Sequence, residues 1–156
     1  MRPLTCALRA LAAIVAFCVV PPRVWAAPPP PAPSCLFEAA NFHQVNPWIL
    51  RAIIWQETKN KPMTIVRNTD NSVDVGIAGI NSIHFDDLAK HGVAPRDLLD
   101  TCTNLYVSAW HLKNQMKRFG NSWKAVGAYH SKTPSKNARY AQTIHAILQN
   151  WGVIPE

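Results

Sequence analysis

The sequence predicts a mainly α fold, one helical domain with a small loop or hairpin region after its central helix. Three observations carry this reading. Apolar residues recur at intervals of three and four around Ile53, Leu112 and Ile144, as they do on one face of a helix. Prolines and glycines stand at the edges of those stretches. The segment Asn60 to Asp74 (NKPMTIVRNTDNSVD) is polar, broken by Pro62 and without a strong strand pattern.

In chain order, residues 1–26 read as an export signal. Arg2 and Arg9 supply the positive start, and Ala10 to Val20 are apolar and uncharged. Val24-Trp25-Ala26 presents small residues where a signal peptidase reads, which puts cleavage after Ala26. The apolar run is too short for a comfortable membrane span. Cys18 follows a bulky Phe17, which argues against lipidation and leaves no stable membrane anchor. Residues 27–34, APPPPAPS, form an extended proline-rich leader. Residues 35–156 suffice for one modest core and are too few for two.

Within that domain, Cys35 to Gln44 is the first helix. Asn46-Pro47 sets a cap residue before a first-turn proline and starts the central helix, Trp48 to Thr58 (WILRAIIWQET). Leu50, Ile53, Ile54 and Glu57 share one face, and Trp48, Ala52 and Trp55 cover a neighbouring one. A helix apolar almost all round is a buried one, and this apolar stripe ends in a carboxyl. Desolvation there raises the pKa and keeps a proton ready for donation near neutral pH. The competing reading is a Glu57 that leaves the helix into solvent or pairs with Lys61. From Thr103 to Phe119, Leu105, Ala109, Leu112, Met116 and Phe119 step at three and four until Gly120 ends the run. Ser122 caps a short helix, Trp123 to Tyr129. A last helix carries Tyr140, Ile144, Ile147 and Trp151 on one face before Gly152.

The whole chain has 16 Lys+Arg against 9 Asp+Glu. Loss of the signal removes Arg2, Arg9 and Arg23 and leaves a charge of +4, enough to favour an anionic surface such as cell wall. No basic run or reading motif calls for nucleic acid, and Lys113, Lys117 and Arg118 read as a solvated helix face. Two cysteines remain in the exported chain, Cys35 and Cys102, most simply as one disulfide from the first helix to a loop near the middle. The alternative, a free catalytic thiol, lacks an evident activating His. There is no nucleophile elbow, no glycine-rich phosphate loop and no His pair at metal-ligand spacing, so neither metal nor cofactor is expected. Carboxylates are scarce, which singles out Glu57, with Asp70, Asp74, Asp86 and Asp87 behind it. Aromatic rings beside Asn and Ser in the loops suit a sugar.

In this order the segments resemble the lysozyme-like lytic transglycosylases, in particular the small exported ones that accompany type III and type IV secretion systems and pili. The resemblance spans Cys35 to about Trp151. In AIIWQET, Glu57 matches the catalytic acid and Thr58 stands where Ser is usual. In DVGIAGINSIH, Gly76, Ile80, Asn81 and Ser82 fit the family pattern, while Ala78 and Gly79 replace the usual Met and Gln. In AVGAYHS, Tyr129 matches a tyrosine near the acid, and His130-Ser131 replace Asn-Ala. In RYAQTI, Tyr140 matches a cleft-side tyrosine. Cys35 and Cys102 fall where the secretion-associated members carry a cysteine pair.

The resemblance implies a lysozyme-like α+β fold and a lyase acting on peptidoglycan. Glu57 is the implied catalytic residue, with Thr58, Gly76, Ile77, Asn81, Ser82, Tyr129, His130 and Tyr140 around the sugar. Glu57 would protonate the β-1,4 bond between N-acetylmuramic acid and N-acetylglucosamine, and the muramic C6 hydroxyl would close a 1,6-anhydro ring. The implied setting is the periplasm of a Gram-negative bacterium, with glycan strands as substrate, a secretion apparatus as partner and a monomeric state. Two alternatives stand beside it. One is a non-cleaving wall-binding or assembly factor. The other is a lysozyme-type hydrolase with Asp70 or Asp74 as second carboxylate.

Overall fold

The structure is a computed structural model that describes residues 32, 33 and 35–155. The export signal, its cleavage point, most of the proline-rich leader and Glu156 lie outside the described residues. Helix α1 (Leu36–His43) ends in Gln44, whose left-handed backbone returns the chain towards α2 (Pro47–Thr58). Asn46 Oδ1 accepts from the amides of Trp48 at 2.8 Å and Ile49 at 3.3 Å, and Pro47 occupies the first turn. Two of the donors left over at a helix start are thereby satisfied.

The polar segment is a hairpin in a three-stranded antiparallel sheet. Strand β1 (Ile65–Arg67) pairs with β2 (Val73–Val75), and β2 with β3 (Ile80–Asn81). Val66 lies opposite Asp74, and Asp74 opposite Asn81. Beyond the sheet come a short α3 (Phe85–Ala89), a 3-10 turn at Pro95–Leu99, and α4 (Thr101–Phe119). Helices α5 (Trp123–His130) and α6 (Pro134–Asn150) complete the chain; Ser122 Oγ caps α5 at the Ala125 amide.

The stripes that predicted the helices are the core. Leu50, Ile53, Ile54, Leu105, Leu112 and Ile144 are almost wholly excluded from solvent. Helix α4 packs against α1 and α5, and α6 against α5 and α2. At the far end of α2 the Arg51 guanidinium lies over the rings of Trp48 and Trp151, joining the central helix to the end of α6.

Cys35 and Cys102 form the disulfide, with Cα atoms 5.5 Å apart. Cys102 is not in a loop: it sits in the first turn of α4, because Asp100 Oδ1 accepts from the Thr103 amide at 2.8 Å and starts that helix early. The bridge spans 67 residues and includes the whole sheet. Replacing both cysteines by Ser is expected to lower unfolding free energy by about 2–4 kcal/mol. Denaturant unfolding of the oxidised and substituted proteins measures it.

Candidate active site

Glu57 lies in the last turn of α2, where the buried face of the helix runs out against the sheet. A cavity of about 640 Å³ opens there, lined by Glu57, Asp74, Gly79, Asn81, Tyr129 and His130 among others. Glu57 neither points into bulk solvent nor pairs with Lys61. Its Oε1 accepts a 2.5 Å hydrogen bond from the Tyr140 hydroxyl of α6. Burial drives its pKa up; the Tyr140 bond opposes this, the Asp74 charge adds to it, and Lys59 opposes it. Burial and the neighbouring Glu57 hold the Tyr140 proton well above its ordinary range, so Tyr140 is the donor of the pair.

That arrangement predicts a pH effect with a definite sign. Were Glu57 to serve as a general acid, it would have to be protonated, and any cleavage it drives should fall as pH rises through its pKa. Tyr140→Phe removes a hydrogen bond that stabilises the Glu57 anion. The alkaline limb of the rate profile should therefore move to higher pH. At the same time kcat should drop roughly ten- to a hundredfold, for loss of a bond to a developing charge. A pH–rate profile of both proteins reads both effects.

The second wall is the sheet. Asp74 is held by one carboxamide on each oxygen, Asn81 Nδ2 at 2.7 Å on Oδ1 and Asn68 Nδ2 at 2.9 Å on Oδ2. The Ser72 hydroxyl accepts from the same two carboxamides at 3.0 Å. Asp70, also on the cavity edge, belongs to the exposed β1–β2 turn, where it accepts from the Ser72 amide. Tyr129 closes the third side. Its hydroxyl contacts Ser108 Oγ at 2.9 Å and donates to the Ala78 carbonyl at 3.3 Å, while burial raises its pKa. The His130 ring lies flat on Tyr140, centroids 4.9 Å apart.

The sequence-predicted residues thus divide in two. Glu57, Asn81, Tyr129 and His130 face the cavity. Thr58, Gly76, Ile77, Ser82 and Tyr140 stand behind its walls and fix them. Thr58 Oγ1 donates to the Ile77 carbonyl at 2.5 Å and so binds the end of α2 to the turn between β2 and β3. Ser82 Oγ accepts from the Val73 amide at 3.0 Å. Gly76 has a φ of +78°, and a side chain there would overlap Asn104 and the Leu98 carbonyl.

A third group escaped the sequence reading. Asn104, Ser108, His111 and Gln115 are buried polar residues at helical spacing on α4, facing the sheet and the cavity. Polar residues repeating at three and four inside an apolar helix are the signal that could have found them. Burial first, and the nearby His84 next, depress the His111 pKa to about 4, so its ring is neutral. His111 Nε2 lies 3.1 Å from the Tyr129 carbonyl, which can only accept, so the proton is on Nε2. Gln115 lines the cavity, and its buried Oε1 has no hydrogen-bond partner among the described residues.

The chain is similar to known proteins over most of its length. Residues 34–146 match the model of the transglycosylase SLT domain. The chain is 39% identical over 116 residues to the invasion protein IagB of Salmonella typhimurium (strain SL1344), covering 71% of this chain and 72% of that protein. It is 35% identical over 123 residues to the X polypeptide of Escherichia coli, covering 74% and 73%. A peptidoglycan-binding-like protein of Escherichia coli O157:H7 is 29% identical over 126 residues, covering 73% and 75%. A carboxyl at the end of a buried helix, facing a small sheet across a cleft, is thus found in a chain that belongs to the SLT transglycosylase domain family, with its lysozyme-like α+β fold.

Proposed function

We propose that the protein is a peptidoglycan lytic transglycosylase in which Glu57 acts first as acid and then as base. The observation that carries the reading is the placement of Glu57: half-buried, proton affinity raised, at the head of a cavity large enough for sugar. The protonated carboxyl gives its proton to the glycosidic oxygen as the C1–O bond breaks. The C6 hydroxyl of the muramic residue then bonds to C1, and its proton passes to the Glu57 carboxylate. The product is a 1,6-anhydro sugar, and the carboxyl is restored without water.

Tyr129, Asn81 and His130 are the side chains we assign to sugar contact. Tyr140, Thr58, Gly76, Ile77 and Ser82 are assigned to positioning. The family supports murein as substrate, and so does the name of the O157:H7 relative. Export through residues 1–26, a periplasmic site of action and service to a secretion apparatus belong to the same proposal. They rest on the sequence reading, with the Salmonella relative's name as an invasion protein in support. No helix among the described residues is long and apolar enough to cross a membrane.

The test is mass analysis of what the purified protein releases from murein sacculi. Anhydro-muramyl ends support the proposal. Binding to sacculi without release of soluble fragments favours a wall-binding factor instead.

A further inference from the structure

We propose that the cleft holds a subsite for the stem peptide of murein, built from Gln115, Lys132, Lys136 and the start of α6, which selects peptide-bearing strands over bare ones. The inference rests on the assignment of the cleft to murein. Its first support is Gln115. This side chain is 5% exposed and borders the cavity, yet its Oε1 has no hydrogen-bond partner among the described residues. A buried polar group left unpaired is unfavourable unless a ligand meets it. A carboxamide accepts through oxygen and donates through nitrogen, and its terminal torsion is soft. Its complement is a peptide group, with one N–H and one C=O.

The second support is charge. Lys132 and Lys136 are exposed and line the same cavity. The salt bridges found among the described residues involve other side chains. Between the two lysines in sequence lies the start of α6. Thr133 there borders the cavity and makes no side-chain cap, and the first turn holds no acidic residue. The positive end of a 17-residue helix therefore adds to two ammonium groups. Together they fit a carboxylate.

This region is set apart from Glu57. On α4, Ser108 meets the Tyr129 hydroxyl, and Gln115 lies two turns further on, roughly 10 Å along the axis. The Lys132 charge bears on His84 and His111, whereas the charges that bear on Glu57 are those of Asp74 and Lys59. An extended peptide covers such a distance in about three residues. Two muramyl substituents carry a carboxylate: the free lactyl group of a stripped strand, and the stem peptide. The stem peptide alone also carries backbone amides on the same arm, as Gln115 requires.

The experiment uses the full protein and two soluble substrates, uncross-linked strands with their peptides and the same strands stripped by an amidase. Anhydro ends counted by mass give kcat/KM on each. The unaltered protein should favour peptide-bearing strands about tenfold or more. Gln115→Leu, similar in size but apolar, should lower that ratio about threefold or more, and so should Lys132→Ala combined with Lys136→Ala. A ratio near one in the unaltered protein, or a preference for stripped strands, overturns this inference and leaves the Glu57 reading intact. An equal fall on both substrates leaves the ratio unchanged in the variants and also overturns it; the lysines then serve the glycan or the lactyl carboxylate. If Gln115→Leu fails to fold, the lysine pair, on the surface, decides. Absence of ends from both substrates removes the Glu57 reading and this one together.

Discussion

Glu57→Gln should lower murein cleavage roughly 10²–10⁴-fold, the contribution of a positioned general acid. The replacement is close to isosteric. Its carbonyl oxygen still accepts from the Tyr140 hydroxyl, so the cavity keeps its shape and sugar affinity should change little. What disappears is a proton acidic enough to reach the leaving oxygen. A stability measurement separates this from unfolding. Burial raises the Glu57 pKa, so between its unfolded value of 4.5 and its folded value the native state binds more protons than the unfolded chain. Stability from this group is present below 4.5 and is lost as pH rises through the folded value. At neutral pH the carboxyl weighs against the fold, and Glu57→Gln should melt at least as high as the unaltered protein. Turnover counted as released muropeptides, with melting followed at pH 5 and pH 8, checks both parts. Cleavage within threefold of the unaltered protein would remove Glu57 from the mechanism.

Asn104→Leu should be the most damaging single change outside the cleft, by about 3–5 kcal/mol of unfolding free energy. Asn104 is fully buried in the first turn of α4. Its Oδ1 accepts from the Ala78 amide at 2.9 Å, and its Nδ2 donates to the carbonyls of Val75 and Leu98, each at 2.9 Å. Leu has similar volume, so no cavity forms, but three buried backbone groups lose their partner at about 1–3 kcal/mol each. Only part of this is recovered when the turn shifts to meet water. That turn also carries the Ala78 carbonyl, which receives the Tyr129 hydroxyl, so cleavage should fall with stability. Urea unfolding gives the loss directly. A change below 1 kcal/mol would show that other bonds hold the sheet to α4.

All the α-helices among the described residues except the short α3 (Phe85–Ala89) were legible, because each depends on near neighbours in the chain; α3 was not read from the sequence. Asn46-Pro47 starts α2, Ser122 starts α5, and the three- and four-residue steps of Leu105, Ala109 and Leu112 already name the buried face of α4. The strands were less so. Val73–Val75 and Ile80–Asn81 are too short to show a period, and β1 exposes all three of its residues. Their pairing rests on contacts across the hairpin and on Asn104, 29 residues beyond Val75.

The site divides in the same way. Sequence alone determined that Glu57 ends an apolar helix face, because that is a matter of spacing along one helix, and family motifs set Tyr129 and Tyr140 beside it. Only the tertiary structure decided that Tyr140 reaches Glu57 across 83 residues, that Asp74 faces it past Gly79, and that Thr58 and Ser82 brace the walls. Local spacing fixes which side of a helix is buried. Which groups meet across a cleft is set by how separate helices and strands pack, and no short window of sequence contains that information.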